Sequence, residues 1–183
     1  MRIPSLGAGA LSLVGTLSLL SSSSPACAQT SADPDVKAYG SYRLTMSKYQ
    51  KYLAAMVSLA QASSRNPKVG HAMEDFGSLT SDQMVARLNG VPEARRVITG
   101  AGLTTRDYVL TQGAVLQAGI AYGMMKQLKI SPDSAIKTFG VSRANLEFVG
   151  KNEAEITSSM KEAEAKVDAL QGADEGEGED SEE

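Results

Sequence analysis

Apolar side chains recur at alternating spacings of three and four residues along two stretches of the chain. That spacing places each set on a single stripe of a helix. In the first stretch, Tyr39, Met46, Leu53 and Ala60 interleave with Tyr42, Tyr49, Met56 and Ser63. Asp33-Pro34 opens it, since Asp33 can accept from free backbone N–H groups and Pro34 suits the first helical position. Ser63-Ser64-Arg65-Asn66-Pro67 closes it. The pattern therefore predicts one helix of about 28 residues, roughly 42 Å long. In the second stretch, behind a Ser142 cap, Leu146, Glu153, Met160 and Val167 interleave with Val149, Ile156, Ala163 and Leu170. The two stripes can be satisfied within one chain or across a homodimer.

Between them, Tyr108 to Met125 is apolar nearly all the way round, interrupted by Thr111, Gln112, Gln117 and small residues. Such a helix belongs in the buried middle of a bundle. Short helices are predicted from Thr80 to Gly90, from Pro92 to Gly100 and from Pro132 to Gly140, each with a start signal in front and Gly behind. No stretch alternates with the period of a strand. The expected fold is all-α: a helical bundle of three long helices plus short ones, with a disordered acidic C-terminal tail.

The first 28 residues follow a different grammar. Arg2 gives a positive start, Leu6 to Leu20 a short apolar run, and Ala26-Cys27-Ala28 the small residues of a cleavage site. Cleavage after Ala28 would make Gln29 the first residue. The expected organisation is a signal peptide over 1–28, a helical domain over 29–171 and a tail over 172–183. An apolar run of about 15 residues is shorter than the roughly 20 needed to span a membrane. The expectation is thus an exported protein, periplasmic or extracellular, with no integral span after cleavage. Lipidation of Cys27 is the alternative, and it would anchor the protein to a membrane.

Charge sharpens the division. The formal net charge is −3, yet seven acidic residues lie within the last ten positions, whereas 29–171 holds 17 Lys plus Arg against 14 Asp plus Glu. The small basic excess of the body does not suit a nucleic-acid partner. The tail, rich in Gly and acid, lacks the apolar mass to fold.

The chemical inventory is narrow. Cys27 is the only cysteine, His71 the only histidine, and there is no Trp. The sequence carries no GxSxG, HExxH, phosphate loop or CxxCH. No catalytic residue, cofactor or metal site is assigned, and the protein is expected not to be an enzyme. His71 with Met73, Glu74 and Asp75 has metal-like residue types but too few ligands. Glu153 occupies a seam position, where it is expected to fix register or pair with Arg106, Arg95 or Arg96.

Two further motifs bear on function. Leu79-Thr80-Ser81-Asp82-Gln83 fits LTxxQ, and Leu103-Thr104-Thr105-Arg106-Asp107 approaches it. Thr followed three residues later by Gln or Asp is the spacing of a capping box, with the preceding Leu as a staple. The pattern also resembles that of periplasmic stress chaperones and related metal-responsive envelope proteins. That resemblance implies ATP-independent binding of unfolded clients. Gly119 and Gly123 form a GxxxG, which lets neighbouring helices cross closely. With Tyr108, Tyr122 and Met125, the glycines could also line a face that admits a small apolar ligand or lipid. The expected function is an exported, non-enzymatic binding or interaction module with an unknown protein partner. An envelope chaperone and an apolar-ligand binder are the alternatives.

Overall fold

Side-chain caps set most of the helix starts. In a computed structural model that describes residues 33–172, with side chains through residue 170, nine α-helices and one 3-10 turn follow in order. They are α1 (Pro34–Ser41), α2 (Met46–Arg65), α3 (Pro67–Met73), the turn Phe76–Ser78, α4 (Ser81–Gly90), α5 (Pro92–Gly100), α6 (Thr105–Leu128), α7 (Pro132–Phe139), α8 (Arg143–Lys151) and α9 (Glu153–Gly172). No strand occurs among the described residues. Asp33, Thr45, Asn66, Thr80, Thr104, Ser131 and Ser142 each accept a backbone N–H of the helix they open. The segment expected to be an export signal, with Ala26, Cys27, Ala28 and Gln29, and the tail from 173 onward lie outside the described residues.

The first long helix expected from the heptads is two helices. The chain leaves α1 at Tyr42, whose backbone is extended, and re-enters a helix at Met46 behind the Thr45 cap. Locally, Gly40-Ser41 and the Thr45 cap mark this break. It is fixed from a distance by Asn145, a fully buried side chain on α8. Asn145 Oδ1 accepts the Leu44 N–H at 3.0 Å, and its Nδ2 donates to the Tyr42 carbonyl at 2.7 Å. One amide therefore satisfies the backbone groups that a continuous helix would have paired.

The last long helix also divides, at Asn152. Its side-chain amide donates to the Phe148 carbonyl at 2.7 Å, capping α8, and the chain resumes as α9. α8 packs on α6, and α9 packs chiefly on α2.

The heptad stripe of α2 forms the seam with α9. Tyr49 Oη donates to the Ile156 carbonyl at 2.9 Å. Farther along, Leu53 and Ala163 line one groove, while Ala60 and Leu170 line another. Residue numbers rise together on both helices, so α2 and α9 run parallel. The stripes are thus closed within one chain. A second face of α2, with Tyr52, Ala55, Leu59 and Ala62, turns into the main core. There the Tyr52 and Tyr108 rings meet at 5.2 Å between centroids. Full burial of Leu59 contributes roughly 2 kcal/mol from removal of apolar area alone.

α6 is the hub, packing on α1, α2, α4, α5, α7 and α8. Two glycines let α1 come close. A Cβ at Gly113 would run into the Tyr39 ring, and one at Gly40 would run into the Gly140 carbonyl oxygen. Gln117 locks the same corner, donating to the Val36 carbonyl at 3.1 Å and the Phe139 carbonyl at 2.9 Å. No helix among the described residues is long and apolar enough to cross a membrane.

Candidate functional site

Burial around α6 changes along its length. Tyr108, Val109, Thr111, Ala114, Val115, Ala118 and Ala121 are buried. Beyond Ala114, one side of the helix comes free. Leu116 is 63% exposed and Ile120 50%. A Cβ added to Gly119 or Gly123 would meet nothing within 4 Å. At about 100° per residue, these four positions fall within an arc of roughly 100°. They form one outward stripe carrying two large apolar side chains and two glycines. Leu128, 57% exposed, lies about 80° farther round from Ile120 and borders the stripe.

The five residues considered for an apolar ligand face are not brought together. Gly119 and Gly123 lie on the free side. Tyr108 is on the core side against Tyr52, with its hydroxyl pKa raised by burial. Tyr122 lies on the α8 flank, where a Cβ at Gly150 would come within 2.9 Å of its ring. Met125 is half-buried against the core. The close approaches assigned to the GxxxG pair are made instead by Gly113 on the same helix and by Gly40 and Gly150 on its neighbours.

Two open grooves follow the α2–α9 seam rather than α6. One, of about 430 Å³, is lined by Leu53, Ala54, Val57 and Ser58 of α2 and by Ser159, Glu162, Ala163 and Lys166 of α9. The other, of about 300 Å³, brings His71 and Glu74 beside Ser63, Ser64 and Leu170. His71 Nδ1 lies 2.8 Å from Glu74 Oε1, and both side chains are exposed. The two serine hydroxyls donate to carbonyls of their own helix, Ser63 to Ala60 at 2.8 Å and Ser64 to Gln61 at 3.0 Å. They are engaged as helix-surface groups and not poised against the imidazole. Among the described residues, no group of three or more His, Cys, Asp or Glu side chains could hold a metal ion.

Glu153 is exposed, and its partner is a lysine. Lys126 Nζ lies 2.7 Å from Glu153 Oε1, and the Tyr122 hydroxyl donates to Oε2 at 3.4 Å. The Lys126 hydrogen bond holds the Glu153 carboxyl below its ordinary range. Arg106, one of the expected partners, pairs with Asp82 at 2.9 Å instead. The seam position fell outward because the helix breaks at Asn152, just before it.

Both LTxxQ-type segments act as helix starts. Thr80 and Gln83 exchange the two reciprocal bonds of a capping box. Asp35 from α1 adds to this, accepting the Ser81 N–H at 3.0 Å and the Ser81 hydroxyl at 2.6 Å. At α6, Thr104 Oγ1 accepts the Asp107 N–H and donates to Asp107 Oδ2 at 2.6 Å. The Tyr42 hydroxyl donates to the other carboxylate oxygen at 3.0 Å. Burial pushes the Asp107 pKa up, but the bonds from Thr104 and Tyr42 outweigh it, and the net shift is downward.

Sequence reasoning missed Leu116 and Ile120. An all-round apolar helix does not reveal which side its neighbours leave bare. The available signal was that the two residues share a face with Gly119 and Gly123, four residues apart in each case. Compared with protein-family models, curated proteins and solved structures, the chain shows no match.

Proposed function

We propose that this chain is an exported, non-enzymatic helical module that works by contact, and that its contact surface is the outward stripe of α6. The observation that carries this reading is the exposure of Leu116 and Ile120 beside open glycines, on a helix otherwise clasped by six neighbours. Large apolar side chains grouped on one face mark interaction sites more often than isolated ones do. The exposed pairs near the site are of an ordinary kind. His71 bonds Glu74 in one groove and Lys126 bonds Glu153 beside α6, with all four side chains exposed, and such surface pairs contribute little to stability. The predicted export signal places this contact outside the cytoplasm.

The test is the native size of the protein extracted from its own host, wild type against a Leu116→Asp/Ile120→Asp double variant. The wild type should migrate above the mass of a single chain, 19.2 kDa before any cleavage. The variant should migrate as one folded chain. A wild type that already runs as a monomer, or a variant of unchanged size, would refute the reading.

A further inference from the structure

The heptad frame of the C-terminal stripe runs through the break at Asn152 without gaining or losing a position. Leu146 to Glu153 and Val149 to Ile156 are each one full repeat, and a continuous helix would keep them on one stripe. The break is one residue wide. Asn152 sits at φ −117° and ψ 17°, and the helix resumes at Glu153. The Asn152 N–H still donates to the Phe148 carbonyl, and the Ile156 N–H donates to the Asn152 carbonyl. Between them, the N–H groups of Glu153, Ala154 and Glu155 make no bond back into α8. A straight helix would pair these with the carbonyls of Val149, Gly150 and Lys151.

α9 is also loosely held. It packs chiefly on α2, and among its described side chains Ala163 alone is buried. The Lys126–Glu153 pair at the bend is exposed, and exposed pairs hold little. From these features we infer that α9 is an exchangeable arm. When α8 and α9 straighten at Asn152, α9 leaves its own α2 and docks on the α2 of a second copy, whose α9 docks in return.

The monomer itself identifies the occupant, because the α2 stripe is already complementary to this α9. Opened alone, the chain would bare Tyr49, Leu53 and Ala60, and the hydrophobic effect opposes that. Exchange remakes the seam, including the bond from the Tyr49 hydroxyl to the Ile156 carbonyl, and alters only the hinge. Straight hinges gain backbone pairing, whereas association loses translational freedom. The monomer therefore prevails at the dilution of a host extract, and the exchanged dimer grows in as concentration rises. The α6 stripe takes no part in the exchange.

Sedimentation equilibrium over a concentration series tests this with the full chain and two hinge variants. Alanine favours a helix interior and glycine opposes it. Asn152→Ala should therefore raise the dimerisation constant and Asn152→Gly should lower it, the two differing by about tenfold or more because each dimer holds two hinges. A mixing experiment identifies the exchanged element. Gln50 Nε2 and Glu155 Oε1 lie 3.5 Å apart across the seam, and both side chains are exposed. In a Cys27→Ser background, Gln50→Cys chains and Glu155→Cys chains are combined at high concentration and treated with a short bis-maleimide. The expected product is a two-chain species linked from position 50 to position 155. Dimers that lack this link overturn the inference. So does equal association of the two hinge variants, or an Asn152→Ala protein that stays monomeric at every concentration.

Discussion

Asn145→Ala tests how this fold is held, because one buried side chain closes the break between α1 and α2. The substitution removes the acceptor of the Leu44 N–H and the donor to the Tyr42 carbonyl. Asn145 and Leu44 are both buried, so water does not readily replace the amide. Each backbone group left unpaired in such a place costs about 1–3 kcal/mol, which gives about 2–6 kcal/mol in all. For a chain of this size, that corresponds to a fall in Tm of roughly 4–24 °C. Urea unfolding followed by circular dichroism gives the free energy, and a thermal melt gives the shift. Asn145→Asp keeps the acceptor for Leu44 but loses the donor and buries a charge, so it should not rescue stability. Asn152→Ala is the control. Its amide bonds one turn back within its own helix, and the loss should stay below about 1 kcal/mol. If Asn145→Ala lay within 1 kcal/mol of wild type, the break at 42–45 would not depend on Asn145, and the reasoning would fail.

Other outcomes follow from the same structure. Gly113→Ala and Gly119→Ala are the same change on the same helix with opposite signs. The first drives a methyl into the Tyr39 ring and should destabilise by about 1–3 kcal/mol, whereas the second meets open space and should stabilise by about 0.5–1 kcal/mol. Chemical denaturation of both variants checks the pair. Leu53→Ala, at a buried seam position, should cost about 2–4 kcal/mol, while Met56→Ala, half-buried, should cost less than half as much. Equal costs would mean that the seam is turned differently. Asp107 has a folded pKa below its unfolded value near 3.8. Its contribution to stability is therefore present above that value and is lost as pH falls through the lower folded one. Unfolding free energy measured from pH 6 down to pH 2 should fall less steeply in Asp107→Asn than in wild type, and identical slopes would contradict the assignment.

Local chemistry is what the sequence makes legible here. Thr80 with Gln83, Thr104 with Asp107, and Ser131 and Ser142 ahead of their helices can all be read as caps because the donor and acceptor lie within three residues. The heptads on either side of Leu53 and Met160 are legible for a similar reason, since their period alone picks out a stripe. What closes that stripe is less local. The α2–α9 pairing joins segments about a hundred residues apart, and the repeat leaves open whether the partner is in the same chain. The break after Ser41 depends on Asn145, on the far side of the sequence. The fate of Gly119 and Gly123 depends on where α1 begins, since Val36 near its start already lies beside Gln117. Gly113 lies under Tyr39, while two turns on the same small side chain faces outward, and nothing within α6 distinguishes the two positions. The candidate surface was illegible for that reason, as hydropathy identifies apolar side chains but not which of them lack a neighbour.

The central claim is that Leu116 and Ile120 are bare on the isolated chain and covered where the protein works. Hydroxyl-radical footprinting reads this directly, by comparing oxidation of these two side chains in dilute purified protein and in cultures of intact host cells. Val167 and Leu170 on α9, half-buried in the seam, serve as the reference. The account predicts that labelling of Leu116 and Ile120 falls several-fold in the host relative to that reference. Equal labelling in both settings would show an uncovered face and contradict it.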